Sequence, residues 1–410
     1  MIEAISKPIR MASIEGLGAL MNLVAATLVI RVYGIDQFGL FSLFIATTAI
    51  LSMFVRGGLD VVGQTQVAHL TDSKLGLAEY FTFTAICLSL HSFVGALVYS
   101  LVVLKFYSAL TLNFSFIYVF LFSLSLLSAS EAMLRGQNRP MLSRGIVGVI
   151  RPGIFSVLVW YSTGVDLADG SGFRLIAYCY AASFVACVGL LFFNLRLSLI
   201  IPSKNLMIQH KKHYLNGLAT IFPSVLSTSL LPQATILLSG LYLIDRDVGL
   251  ISLVIRLTGF LNTFLLAFNH LFTTPLIKLT NAKDILALRR KAKITISASV
   301  FVVYGILVVG VALFSELFFS ISGDIYKPVA LLGVAYLVLA LLSPDPQLFL
   351  LTGSRAYNVI IATATLFILL MLSGINAIFN TQNTTYILMS LAASLVFHGI
   401  LTTVVRKKST

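Results

Sequence analysis

The chain has 410 residues, 58% hydrophobic and 10% charged, with a formal net charge of +13. Soluble domains carry about 25% charged residues, so this composition, with a mean hydropathy of +0.98, excludes a water-soluble fold. Apolar runs of about 20 residues, enough to cross a bilayer as helices, recur along the chain, and the alternating ten-residue strands of a membrane barrel are absent.

Twelve spans are expected in chain order: 12–31, 38–57, 80–104, 112–132, 143–162, 174–194, 215–240, 248–270, 294–316, 327–350, 356–377 and 384–404. The expected fold class is therefore an all-α polytopic membrane protein. Span 1 follows Lys7 and Arg10 without a small-residue cleavage site and reads as a retained helix. Cys87, Cys179 and Cys187 fall inside spans without metal-ligand spacing and read as packing residues, with no metal implied. His91 and His398, in spans 3 and 12, read as buried structural histidines. Trp160 and Tyr161 end span 5 as interface anchors.

Placing the N-terminus in the cytoplasm leaves only Arg31, Lys105, Arg174, Arg246 and Lys327 on outer segments. Arg56, Arg151 and Arg256 lie inside spans, and the rest of the 28 lysines and arginines fall on inner ones. This bias puts both termini in the cytoplasm. It also accounts for most of the positive charge, which therefore does not signal nucleic-acid binding; the inner basic clusters touch anionic headgroups.

The turn between spans 1 and 2 reads "GIDQFGLFSL" (34–43), and the turn between spans 7 and 8 reads "IDRDVGLISL" (244–253). Ile35-Asp36 matches Ile244-Asp245, and Gly39-Leu40-x-Ser42-Leu43 matches Gly249-Leu250-x-Ser252-Leu253, with one extra residue between the blocks in the second copy. "RGQNRP" after span 4 and "TGSRAY" after span 10 echo each other at a similar separation. The expectation is a six-span unit used twice, 1–200 and 201–410, with the halves related by a pseudo-two-fold along the membrane normal. Such halves leave a central seam, where transporters place their substrate.

"RVYGIDQFGLFSL", followed after span 2 by "GGLD" (57–60), resembles the N-terminal signature of Wzx-type O-antigen flippases in the multidrug/oligosaccharidyl-lipid/polysaccharide (MOP) exporter superfamily. The resemblance extends over the chain in length, span count and the glycine turn after span 4. It implies transfer of an undecaprenyl-pyrophosphate-linked oligosaccharide, an O-antigen, lipopolysaccharide or capsule repeat unit, between leaflets of the bacterial inner membrane. It further implies alternating access through a cationic cavity lined by spans 1, 2, 7 and 8, proton or sodium coupling, and a polysaccharide polymerase and a chain-length regulator as partners. No other cofactor is implied.

A charge deep in a span costs roughly 2.5–3.5 kcal/mol on insertion scales, so such residues are site candidates. Arg256, about eight residues into span 8, stands near the midplane as a permanently charged donor fork for a pyrophosphate. Arg56, near the inner mouth of span 2, and Arg31, at the outer end of span 1, extend a path of positive charge; Arg31 could instead pair with Asp36. Asn22, Gln233 and Asn262 could bond sugar hydroxyls. Glu15 is the candidate for ion coupling, and Asp60 could gate against Arg56, one turn earlier. Pro223 and Pro232 would bend span 7 into a hinge. Arg151 precedes Pro152 and is expected to be structural, paired with Glu131.

A cation-coupled multidrug exporter of the same superfamily would favour acidic and aromatic cavity walls. A membrane-embedded polymerase or ligase would need a long outer loop or a polar catalytic cluster. Here the deep charges are mostly arginines, the outer loops are short, and no nucleophile–base pair, phosphate loop or metal motif is present.

Overall fold

The structure, a computed structural model, describes residues 2–59, 63, 66–67, 70, 74–137, 139–164, 172–195, 222–278, 282–319, 325–343, 355–378 and 384–409. Every regular element among them is helical, as a bilayer demands of a chain whose backbone N–H and C=O groups find no water there. Eight described helices are long and apolar enough to cross a membrane, and the shorter apolar helices Leu230–Tyr242, Tyr326–Leu342 and Thr363–Gly374 accompany them.

Helix α1 (Ile2–Arg56) carries the first two expected spans, with a break at Gly34 (φ 86°, ψ 165°). An L side chain resists that positive φ, so glycine marks where one arm stops and the next starts. A second glycine turn, Gly57 (φ 48°) and Gly58 (φ 85°), follows α1.

The described chain divides into two compact units, Leu40–Leu226 and Met1–Gly39 with Ser227–Thr410. Residues 1–39 thus pack with Ser227–Thr410. In the Leu40–Leu226 unit, α2 (Lys74–Phe106) packs on α3 (Phe114–Gly136), and α3 on α6 (Gly172–Leu195). Between them, α4 (Pro140–Arg144) runs through a π-helical turn, Gly145–Ile150, into α5 (Arg151–Tyr161). Pro152 has no N–H to donate and crowds the carbonyl four residues back, so the ladder widens just before it. Aromatic rings fill the interior. Phe44 stacks on Phe120 at 5.1 Å, and Tyr180 meets Phe155 and Phe184 edge-on at 5.1 and 5.0 Å. Cys187 is buried among them, its Sγ 3.9 Å from the Ile146 carbonyl oxygen, and all three cysteines are free thiols.

The other unit holds α1 up to Gly39 and α7 (Phe222–Tyr242) from Ser227. It continues through α8 (Asp245–Lys278), α9 (Ala282–Phe319), α10 (Tyr326–Leu342), α11 (Arg355–Ile378) and α12 (Thr384–Ser409). Leu265, Ala292, Ile296, Val300 and Ala340 form a core between α8, α9 and α10. The Tyr304 ring lies against Gly333, and its hydroxyl donates to the Ala330 carbonyl at 3.2 Å, so α9 and α10 approach closely where α10 lacks a side chain.

The repeated turns meet each other in this unit. The Asp245 carbonyl oxygen lies against the α-carbon of Gly39, and the Ile35 carbonyl oxygen lies against that of Gly249. Adding 210 to Ile35 and Gly39 gives Asp245 and Gly249, so the two contacts are one contact made reciprocally, as a two-fold requires. The same ungapped register continues inward. Thr48 donates to the Phe44 and Ile45 carbonyls, and Thr258 donates to those of Val254 and Ile255. Burial repeats too, position by position from 33–50 to 243–260, with one departure at Ala46 and Arg256. The copies therefore correspond without the expected one-residue insertion, and Asp36 is matched in space by Arg246 and not by Asp245.

A methyl group at Gly39 would enter the Asp245 carbonyl. Gly39→Ala is expected to cost about 1–3 kcal/mol, the usual penalty for overpacking, and Gly249→Ala a similar amount. Gly374, whose Cβ position meets nothing within 4 Å, serves as the control: Gly374→Ala should be neutral or slightly stabilising. Thermal unfolding in detergent micelles checks the ranking.

Candidate functional site

Arg256 is the one position where the two copies differ in burial, and there a half-buried guanidinium replaces a buried methyl group. Helix α8 starts at Asp245, which puts Arg256 eleven residues, or about 16 Å, along its axis. Its guanidinium carbon lies 5.3 Å from the centroid of the fully buried Phe38 ring, and its Nε is 3.5 Å from Ser252 Oγ. A cation on an aromatic face is worth about 1 kcal/mol, more when desolvated. One turn further along α8, a Cβ at Gly259 would meet nothing within 4 Å. Arg256 is thus held from the α1 side, with open space on the helix surface beyond it.

The other expected residues are placed as follows. Arg31 donates from Nε to the Phe318 carbonyl oxygen at 3.1 Å, and among the described residues no ion pair joins it to Asp36. Arg56 is half-buried and donates from Nε to the Ser52 carbonyl of its own helix at 3.1 Å. Its expected gate partner, Asp60, lies outside the described residues. Asn22 donates to the Gly18 carbonyl at 2.8 Å, one turn back on α1. Glu15 is half-buried beside Gly16, where a Cβ would meet open space. Asn262 is half-buried on α8. Gln233 follows Pro232 inside α7, and its Oε1 is buried without a hydrogen-bond partner among the described residues. Pro223 stands at the second described residue of α7, and its side chain lies outside what is described.

Two pairings differ from expectation. Glu131 forms its ion pair with Arg144 at 3.3 Å, not with Arg151. Arg151 instead lies over the rings of Phe184 (4.7 Å) and Tyr180 (5.6 Å), and its Nη1 is 3.3 Å from the Tyr180 hydroxyl. Proximity along the chain suggested Glu131 for Arg151, but the π-helical turn rotates Arg151 toward α6. His91 accepts a structural role, with Nδ1 2.9 Å from the Val55 carbonyl oxygen, and His398 Nδ1 lies 3.2 Å from Thr365 Oγ1.

Two buried polar residues went unread in the sequence. Asn269 on α8 is 5% exposed and donates to Ser343 Oγ at 3.3 Å, tying α8 to the end of α10. Glu79 on α2 is 6% exposed. Both stand in apolar surroundings, the same signal that singled out Asn262 and Glu15. The described structure also contains a groove of about 550 Å³ between the first arm of α1, α8 and α9, walled by aliphatic and phenyl groups and closed at one end by Arg31.

No protein-family model and no curated protein matches the chain. Solved structures do. An inward-facing multidrug resistance MATE family transporter of the MOP superfamily aligns over 98% of this chain and 98% of its own, with 15% identity and a TM-score of 0.67. The eukaryotic MATE transporter AtDTX14 aligns over 99% and 96%, with 13% identity and a TM-score of 0.67. A MOP superfamily transporter from Pyrococcus furiosus, whose binding pocket is described as reversed in polarity with a suggested different function, aligns over 98% and 95%, with 13% identity and a TM-score of 0.56. The chain thus shares its fold, over nearly its whole length, with solved structures of MOP superfamily transporters.

Glu131 and Arg144 join α3 to α4. Glu131 is 10% exposed on its side chain and Arg144 39%, so Arg144→Ala strands a largely buried carboxylate. A loss of about 1–3 kcal/mol is expected, below the full cost of breaking a completely buried pair. Glu131→Gln combined with Arg144→Ala should recover part of it in a double-mutant cycle read by thermal unfolding.

Proposed function

We propose that the chain is a flippase for an undecaprenyl-pyrophosphate-linked oligosaccharide, moving the sugar from the cytoplasmic to the periplasmic leaflet of a bacterial inner membrane. The observation that carries this reading is the single break in the repeat. Where one copy buries Ala46, the other carries the half-buried Arg256, with open space one turn beyond it at Gly259. A fixed cation there stabilises a pyrophosphate or anionic sugar part-way across, where the bilayer would otherwise impose its largest penalty. In this reading, residues 1–200 and 201–410 are six-span halves related by a pseudo-two-fold along the membrane normal, with both termini cytoplasmic. Arg56, Arg31, Asn22, Gln233 and Asn262 supply the remaining polar wall. Glu15 carries the coupling proton or sodium ion, Pro232 and Pro223 allow α7 to bend, and a polymerase and chain-length regulator receive the product.

The second reading, a cation-coupled multidrug exporter, is favoured by the multidrug function of the aligned MATE structure. Cationic drugs, however, call for carboxylates where this chain puts Arg256. The pocket polarity described for the Pyrococcus furiosus protein supports treating polarity as the variable that separates functions on this fold.

Transport of a labelled undecaprenyl-pyrophosphate oligosaccharide into proteoliposomes tests the reading. Arg256→Ala should remain folded in detergent micelles, while transport falls at least about tenfold, the loss of a charge-assisted contact. Arg256→Lys should keep part of the activity. Export of cationic dyes by the wild type with no transport of any lipid-linked sugar would establish the multidrug reading instead.

A further inference from the structure

The groove between α1, α8 and α9 does not include Arg256, and of the polar wall proposed above it shares only Arg31. Leu20, Val24, Phe260, Ile306 and Phe314 represent its walls, and Thr27 and Arg31 are its polar members. Thr27 spends its hydroxyl on the Leu23 carbonyl at 2.9 Å. That leaves Arg31 as the polar feature offered to a ligand. Its Nε is tied to the Phe318 carbonyl at 3.1 Å, which fixes the guanidinium at the end of the groove, and the residue is exposed. Val24 (47% exposed), Ile306 (68%) and Phe314 (47%) leave the groove open along its side. An occupant can therefore enter laterally from lipid without crossing water.

Length selects the occupant. A second recess of about 390 Å³ at Phe264, Ala298 and Val302 shares Val303 with the first. The combined groove follows α9 from Ala298 to Phe319, a rise of roughly 30 Å at about 1.5 Å per residue. That is the whole hydrocarbon thickness, whereas a phospholipid chain reaches across one leaflet, about half of it. The groove thus fits an apolar chain longer than a leaflet that carries an anion at one end.

We propose that this groove holds the polyprenyl chain of a phosphate-bearing lipid carrier, with the phosphate at Arg31. The proposal rests on the flippase reading for the identity of that carrier and adds where its tail is held once the phosphate has passed Arg256 and reached the Arg31 end. Docking the tail along α9 keeps the phosphate end near α1 and α8, so the carrier does not diffuse away during the conformational cycle.

Gly310 lines the groove, and a Cβ there would meet nothing within 4 Å; a Cβ at Gly305, on the same helix but not among the lining residues, also meets open space. Gly310→Phe therefore fills the groove without disturbing packing, and Gly305→Phe controls for bulk on α9. The test is photo-crosslinking of the full chain in nanodiscs with undecaprenyl phosphate carrying a diazirine near the far end of its chain, with the site mapped by mass spectrometry. Wild type and Gly305→Phe should label between residues 298 and 319, and Gly310→Phe should not. Arg31→Ala should raise the half-saturating probe concentration by about tenfold, as loss of one charge-assisted phosphate contact implies. Labelling elsewhere, undiminished labelling of Gly310→Phe, or equal displacement by phosphatidylglycerol would overturn the proposal. Sugar transport by a wild type whose groove stays unlabelled would sink this inference and leave the flippase reading standing. Groove labelling without transport of any lipid-linked oligosaccharide would do the reverse.

Discussion

Two carbonyl oxygens resting on two glycine α-carbons organise one half of this molecule. Inside lipid there is no hydrophobic gain in bringing helices together, because hydrocarbon surrounds them either way; close approach of small residues supplies the attraction instead. Gly39 and Gly249 let the starts of two helices interlock, each seated against the other's backbone. The break at Gly34 lets the first arm of α1 end where that contact can form. The duplicated string is thus a self-complementary surface written twice. This also explains why residues 1–39 pack with the second half of the chain.

Much of this was legible beforehand, and the reasons differ by feature. The spans could be read because each must hide its backbone polarity within about 20 apolar residues, and the described residues show eight helices long and apolar enough to cross a membrane with three shorter apolar ones beside them. The repeat could be read because glycine and serine at fixed spacing are rare against an apolar background. Its register could not. The Ile-Asp pair invited a gap, yet the burial pattern aligns Ile35 with Asp245, because spatial equivalence follows the interlocking glycines and not the letters.

Ion pairs were the least legible part. Arg144 and Arg151 both lie near Glu131 along the chain, and the choice between them depends on a π-helical turn that rotates everything after Ile150. The cause of the turn, Pro152, was visible, but its angular consequence is a property of three dimensions. Likewise, Asn269 and Glu79 resemble other polar residues in apolar runs, and only their neighbours reveal how completely they are buried.

The arginines show how one residue type is made to serve different ends in a medium hostile to charge. Arg151 is surrounded by rings, Arg144 is neutralised by Glu131, and Arg31 is exposed and held by a carbonyl. Arg256 alone occupies a position whose counterpart in the repeat is a small buried residue. On the proposed flippase reading this asymmetry has a reason, because a substrate with one charged end has no two-fold symmetry. A cation added to both copies would double the desolvation cost and offer a second anion site with nothing to fill it. Adding it to one copy would break the symmetry where such a substrate does, and the unmodified copy keeps its buried Ala46.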